Sequence, residues 1–168
     1  MRYYLISLGC PKNAVDAESV GTLLDEAGLE AVFEPDRADV LLVNTCCFIA
    51  SARDESIQVL EGLAAQKRDD QWLLAIGCLA QRSGEALTRE VPGIDGVLGT
   101  RRWAEILPIL IQLDRRRDQA RPVTLIGDSL AAKPEQMHRV AVQGASAYLK
   151  IADGCSAACA YCSIPLIK

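Results

Sequence analysis

The stretch Asp39-Val40-Leu41-Leu42-Val43 is apolar at nearly every position and runs directly into Asn44-Thr45-Cys46. A short, continuous apolar run is typical of a parallel strand that is covered on both faces. Outwards from it, the sequence predicts strands at 2–8, 30–33, 72–76 and 96–98, and helices at about 14–27, 50–67 and 80–90. A last helix, with an apolar face from Trp103 to Ile111, is predicted to begin at a Thr100 cap and to be interrupted at Pro108.

Strands that alternate with helices in this way predict an α/β domain. For five strands we expect a flavodoxin-like, doubly wound parallel sheet in the order 2-1-3-4-5. We assign residues 1–118 to this domain. Residues 119–144 are polar, contain only a weak strand pattern at 123–126, and are interpreted as a linker. Residues 145–168 are predicted to begin a second domain with a strand at 145–151.

Composition narrows the class of protein. The chain has 168 residues, half of them hydrophobic, so a core can form. Its net charge of −4 indicates no basic surface for nucleic acid or an anionic membrane. We find no membrane-spanning or signal segment and expect a cytoplasmic protein. Because disulfides are rare in the cytosol, the seven cysteines favour metal or redox chemistry.

Cys155, Cys159 and Cys162 lie in one short loop at C-x3-C-x2-C spacing, with Tyr161 before the last cysteine. Three thiolates are one fewer than the four that close a structural zinc or a simple iron–sulfur site. An iron–sulfur cluster held by these three cysteines would keep one iron open for a substrate. Two alternatives remain: a zinc site that takes another cysteine or His138 as its fourth ligand, and three thiols that bind no metal.

A second group of cysteines is dispersed in the sequence but not in the predicted fold. Cys10, Cys46 and Cys78 each follow one of the predicted strands 1, 3 and 4, which the expected order places side by side. Neighbouring strands are about 4.8 Å apart, so the three thiols could share one metal site. The alternative is that each cysteine is a small core residue.

The ordered motifs Leu8-Gly9-Cys10-Pro11-Lys12-Asn13, Asn44-Thr45-Cys46 and Gly77-Cys78 resemble the N-terminal domain of the radical S-adenosylmethionine (SAM) methylthiotransferases. The C-x3-C-x2-C loop resembles their SAM-binding motif. The resemblance implies two [4Fe–4S] clusters, one held by Cys10, Cys46 and Cys78, and the other, which binds SAM, by Cys155, Cys159 and Cys162. It implies no acid–base catalytic residue, because the clusters and SAM carry the chemistry.

The sequence Cys10-Pro11-Lys12-Asn13 looks like the corresponding motif in one branch of this family. Members of that branch add a methylthio group to the β-carbon of an aspartate in a small-subunit ribosomal protein. A reductant protein of flavodoxin or ferredoxin type is then also implied. The alternatives are the branch that modifies tRNA adenosine, and a non-catalytic iron–sulfur or zinc module.

The chain departs from the family pattern at three points. Cys47 stands where a small residue such as glycine is usual, so either Cys46 or Cys47 could be the ligand, and Ala17 stands where serine is usual. The family also continues beyond Lys168 into the rest of a barrel. We therefore expect a truncated chain that is inactive alone, with a 155–162 loop whose ends lack packing partners.

Overall fold

A computed structural model describes residues 1–116, 122–128 and 140–167. Its strands are β1 (Arg2–Ser7), β2 (Glu30–Ala31), β3 (Val40–Thr45), β4 (Trp72–Gly77), β5 (Gly96–Gly99), β6 (Val123–Leu125), β7 (Val140–Gln143) and β8 (Ser146–Leu149). Its helices are α1 (Pro11–Glu26), α2 (Ala50–Gln66), α3 (Cys78–Ser83), α4 (Glu85–Glu90), α5 (Ile106–Arg115) and α6 (Ile164–Ile167), with 3₁₀ turns at Pro35–Arg37 and Thr100–Glu105. Within these ranges, no helix has both the length and the apolar character needed to cross a bilayer.

The alternating strands and helices form a parallel sheet in the order β2-β1-β3-β4-β5-β6. The predicted α/β class and the neighbours of strands 1, 3 and 4 are confirmed. The predicted count of five strands is wrong, because β6 pairs in parallel with β5, Gly96 opposite Val123 and Leu98 opposite Leu125. The weak strand pattern at 123–126 is part of the predicted linker, whereas β6 lies at the edge of this sheet.

The strand predicted at 145–151 is present as β8 but does not start a barrel. It pairs with β7 in an antiparallel hairpin, Val140 opposite Leu149, and the turn contains Gly144 with φ +58°. Among the described residues, neither β7 nor β8 pairs with a parallel neighbour. The prediction of a first barrel strand is therefore corrected to a two-stranded hairpin in the described residues.

Strand β3 is buried at all six positions, as its apolar sequence predicts. Its side chains alternate between two cores: Leu41 and Val43 pack in one, Val40 and Leu42 in the other. The first core includes Leu60 of α2, and the second includes residues of α1 and α5. Complete burial of one such aliphatic side chain stabilises a fold by about 1.5–3 kcal/mol, so this strand anchors the sheet.

Three helix boundaries differ from the prediction for local reasons. Helix α1 already begins at Pro11, since proline fits the first helical position, where no N–H is needed. The helix predicted at 80–90 is two helices separated at Gly84, whose φ is +51°. Pro108 lies in the first turn of α5, and Thr100 belongs to the preceding 3₁₀ turn instead of capping that helix.

Candidate functional site

The structure brings the loops of Cys10, Cys46 and Cys78 to one edge of the sheet. Cys10 is the residue before α1, Cys46 directly follows β3, and Cys78 is the first residue of α3, directly after β4. Strand β3 pairs with both β1 and β4, so the three cysteines follow the carboxyl ends of adjacent strands. Cys10 is exposed, Cys46 is buried and Cys78 is half-buried.

Gly9 brings the first two of these loops together. Its φ is +90°, and a Cβ atom added to it would lie 2.6 Å from both Cβ and Sγ of Cys46. A side chain at this position would therefore be strained by its backbone conformation and would overlap the cysteine. The Cys46 side chain accordingly lies against the backbone of the loop that carries Cys10.

The side chain of Asn13 contacts all three cysteine-bearing loops. It is 1% exposed, and its Nδ2 donates hydrogen bonds to the carbonyl oxygens of Leu8 (2.9 Å) and Thr45 (3.0 Å). Its Oδ1 accepts a contact of 3.5 Å from the Cys78 thiol. Because buried amide groups are costly to leave unpaired, Asn13 holds the ends of β1, β3 and β4 in one arrangement.

Two further polar side chains support this edge. Asn44, also 1% exposed, donates from Nδ2 to the Asn13 carbonyl oxygen at 2.6 Å, so each asparagine fixes the other's loop. Ser56 of α2 accepts the backbone N–H of Cys46 at 3.0 Å, and its hydroxyl lies 3.0 Å from the Cys46 carbonyl oxygen. The backbone of Cys46 is thus held from the helix side as well.

The adjacent cysteines Cys46 and Cys47 face different surroundings. Cys47 belongs to the apolar core that also contains Leu8, Ile57 and Leu79. Burial raises the pKa of the Cys47 thiol, and the charge and hydrogen bond of Arg82 oppose that rise. A buried thiol with a raised pKa is a poor source of thiolate at neutral pH.

Chemically, the three thiols of Cys10, Cys46 and Cys78 suit a soft metal centre. Across residues 1–116, 122–128 and 140–167, no three His, Cys, Asp or Glu side chains converge closely enough for one metal ion. An iron–sulfur cluster binds each cysteine through a different iron atom, so its ligands lie farther apart than those of a single ion. In the described residues the three thiols share one edge of the sheet but do not form a single-ion site.

The second group of cysteines lies in the loop between β8 and α6. Cys155 and Cys159 are exposed and Cys162 is half-buried. The backbone N–H of Ala157 contacts the Cys155 sulfur at 3.4 Å, and the N–H of Cys162 donates to the Cys159 carbonyl oxygen at 3.1 Å. His138, the alternative zinc ligand, lies outside the described residues.

Both ends of this loop have packing partners, contrary to our expectation from the sequence. Before it, Lys150 lies 2.6 Å from a carboxylate oxygen of Asp16 in α1. After it, Ile167 is 2% exposed and belongs to the core cluster that includes Leu79 of α3. The expectation was wrong because the N-terminal domain itself supplies these partners.

Cys10 also lines an open groove of about 620 Å³ between β1, α1 and the residues around β2. The carboxylates of Glu18 and Asp25 line the same groove. The Tyr3 hydroxyl donates to Asp25 at 2.8 Å, and burial together with this carboxylate raises the pKa of Tyr3. The groove leaves Cys10 accessible from solvent.

Sequence reasoning named six cysteines as candidate ligands but not the polar residues that surround the first three. Asn13 and Asn44 were named only as parts of the family motifs, and Ser56 was not named. A weak signal existed in each case, since a polar residue next to an apolar strand end is a candidate for a buried hydrogen-bond network. Apart from Leu8 and Ala52, their partners are 10 to 65 residues away in the chain, which no local pattern reveals.

The sequence of this chain is similar to known proteins along its whole length. Residues 2–99 match the model of Uncharacterized protein family UPF0004. The whole chain is similar, at 42% identity, to 39% of a protein from Chloroflexus aurantiacus named "Ribosomal protein uS12 methylthiotransferase RimO". Proteins of the same name from Roseiflexus sp. (strain RS-1) and Anaeromyxobacter sp. (strain K) are each 39% identical, over 100% and 99% of this chain and over 39% and 35% of their own lengths.

The chain thus spans about two-fifths of the length of the curated relatives it matches. These similarities confirm the resemblance to the N-terminal part of the methylthiotransferases that the cysteine motifs indicated. On the matched residues 2–99, which include Cys10, Cys46 and Cys78, the chain belongs to Uncharacterized protein family UPF0004.

Proposed function

We propose that this chain forms the N-terminal part of a radical-SAM methylthiotransferase that modifies the β-carbon of an aspartate in a small-subunit ribosomal protein. The observation that carries the proposal is the contact of Asn13 with all three cysteine-bearing strand ends. The named relatives support the substrate class. The domain limits we propose are residues 1–118 and 145–168, with 119–144 as the connection.

In this proposal Cys10, Cys46 and Cys78 hold one [4Fe–4S] cluster. Cys155, Cys159 and Cys162 hold a second cluster, to which SAM binds. When bound, these groups supply radical chemistry and a methylated sulfur, which no amino-acid side chain provides. The protein's own residues orient the ligands: Gly9 leaves room for Cys46, and Asn13 holds the three strand ends in place.

Cys46, not Cys47, is the proposed ligand of the first cluster. Its side chain lies against Gly9 in the loop of Cys10, whereas Cys47 is part of the apolar core. We expect Cys47 to be dispensable for iron binding.

The proposed setting is the cytoplasm, with a reductant protein of flavodoxin or ferredoxin type as the electron donor. The net charge of −4 favours a basic protein substrate over tRNA, because nucleic-acid binding depends on Lys and Arg contacts to phosphate. Ribosomal proteins bind RNA and therefore carry such basic residues.

Ligand assignment is tested by anaerobic reconstitution of the chain with iron and sulfide. Two clusters require about eight iron atoms per chain. We expect Cys46→Ala and Cys155→Ala each to lose about half of the iron and Cys47→Ala to lose none. Loss of iron in Cys47→Ala with retention in Cys46→Ala would transfer the ligand role, and a colourless zinc protein would contradict the cluster altogether.

The reaction is tested with a protein extended to the length of the relatives. It is incubated with SAM, a reductant and either small-subunit ribosomal protein or tRNA. A methylthio mass increase on an aspartate-containing peptide is the expected result. Modification of tRNA alone would assign the chain to the other branch of the family.

A further inference from the structure

Lys150 carries a buried charge close to the second cysteine loop. Its side chain is 3% exposed, and its Nζ lies 2.6 Å from Oδ1 of Asp16, whose side chain is 5% exposed. The same Nζ lies 2.6 Å from Oδ1 of Asp153. Because removing a charge from water is unfavourable unless it is paired, a lysine buried to this degree marks a specific contact.

Asp16 and Lys150 are each close in the sequence to a different cysteine group. Asp16 lies six residues after Cys10 on α1, and Lys150 lies five residues before Cys155. Asp16 also lines a small cavity with Asn44 and Gly77, at the carboxyl ends of β3 and β4. Lys150 therefore reaches the edge of the sheet that carries the first cysteine group.

Thr100 holds the acidic partner in place. Its hydroxyl lies 3.3 Å from Oδ2 of Asp16, whereas the 2.6 Å contact of Lys150 is with Oδ1. Thr100 directly follows β5 and is 3% exposed. The Thr100 hydroxyl thus helps to orient the carboxylate that pairs with Lys150.

The other end of the loop is tied to the same domain. The Arg101 guanidinium donates to the Pro165 carbonyl oxygen at 3.3 Å, and Ile167 is buried in the core beside α3. The intervening residues 151–163 are therefore held at both ends, while Cys155 and Cys159 between them remain exposed. Fixing both ends of a loop removes much of its conformational freedom.

We propose that Asp16 and Lys150 are positioning residues whose buried ion pair sets the place of the 155–162 loop relative to Cys10, Cys46 and Cys78. The inference rests on the proposed function for what these cysteines bind. The location of the loop rests only on the contacts of Asp16, Lys150, Pro165 and Ile167.

Hydrogen exchange of the metal-free chain tests the pair without any need for iron. Asp16→Asn and Lys150→Met each remove one charge, and Arg53→Met is the control, because it breaks an exposed pair with Glu90 of the same 2.6 Å length. We expect exchange of the amides in residues 146–154 to become at least tenfold faster in the two test variants and less than threefold faster in the control. Amides of β4 should be unchanged in all three.

Unchanged exchange at 146–154 would contradict the proposal. Equally faster exchange of the β4 amides would contradict it too, because the ion pair would then stabilise the whole core and not the loop in particular. Since no metal is present, neither outcome depends on whether the chain binds clusters, so failure of the proposed function remains separate.

The yield of cross-linking reports the position of the 155–162 loop relative to Cys10. A role in fold stability alone would leave this yield unchanged. A short bismaleimide is used to join Cys10 to Cys155 or Cys159, all of which are exposed. We expect the yield to fall at least fivefold in Asp16→Asn and Lys150→Met, and Asp16→Glu, which keeps the charge, to retain at least half of it. Equal yields in all variants would overturn the proposal.

Discussion

The Sγ atom of Cys46 lies 2.6 Å from the point where a Cβ atom of residue 9 would stand. Gly9→Ala should therefore destabilise the fold in two ways, through its φ of +90° and through overlap with Cys46. A left-handed backbone at a non-glycine residue costs about 1–2 kcal/mol. Overpacking of a buried site adds about 1–3 kcal/mol. Urea denaturation of the metal-free chain measures the sum.

Gly28 provides the matched control. Its φ is +81°, but an added Cβ would meet nothing within 4 Å. Gly28→Ala should then show only the backbone term of about 1–2 kcal/mol. Equal losses of stability in the two variants would mean that Cys46 moves aside without penalty and that Gly9 does not shape the site.

Asn13 should contribute more to the stability of the fold than its small side chain suggests. In Asn13→Ala, the carbonyl groups of Leu8 and Thr45 lose their buried donor, and each such loss is worth about 1–3 kcal/mol. Asn13→Asp keeps the shape but turns a carboxylate oxygen towards the two carbonyl oxygens, so it should destabilise the fold at least as much. Both variants should also bind less iron at the first cysteine group.

Thr22→Ala on the same helix is the control for Asn13. Its hydroxyl donates to the Glu18 carbonyl oxygen at 2.9 Å on the exposed side of α1, and its loss should change stability by less than about 0.5 kcal/mol. If Asn13→Ala is equally mild and keeps its iron, the three strand ends are held by the backbone alone.

The parts of the structure that could be predicted are those with a local signal. The buried run of β3 and the cysteines after β1, β3 and β4 follow from apolar pattern and strand order. The pairing of Asp16 with Lys150 joins residues 134 positions apart, and nothing in either neighbourhood indicates the other. The place of β6 in the sheet was missed for the same reason, because its pairing with β5 cannot be read from the short pattern at 123–126.

Asp95 and Lys67 should contribute unequally to stability, although they form one ion pair of 2.6 Å. The Asp95 carboxylate also accepts the backbone N–H of Leu73 at 2.7 Å, at the start of β4. Asp95→Ala leaves the Leu73 N–H without this acceptor, while Lys67 keeps its 3.4 Å contact with the Gln71 carbonyl oxygen, and should cost about 2–3 kcal/mol. Lys67→Met leaves the second contact intact and should cost about 0.2–1 kcal/mol, because a pair that is 16% and 23% exposed is partly screened. Equal losses, measured by urea denaturation, would show that the Leu73 contact adds nothing.

The metal-free chain should keep its fold. The sheet is covered on both faces, and the two apolar cores contain residues from every one of α1 to α5. The polar contacts at the sheet edge, such as those of Asn13, also form between protein groups alone. None of these interactions needs a ligand, so removal of iron should lower the melting temperature without abolishing cooperative unfolding.

Two probes of different origin test this expectation after iron is removed with a chelator. Far-ultraviolet circular dichroism follows the helices, and fluorescence follows Trp72 at the start of β4 and Trp103 in the 3₁₀ turn before α5. For a folded metal-free state the two transitions should coincide. If ellipticity persists while the tryptophan signal changes gradually, the metal-free chain is a molten globule. The first cluster would then be a structural element, and the contacts of Asn13 and Gly9 would depend on it instead of preparing its site.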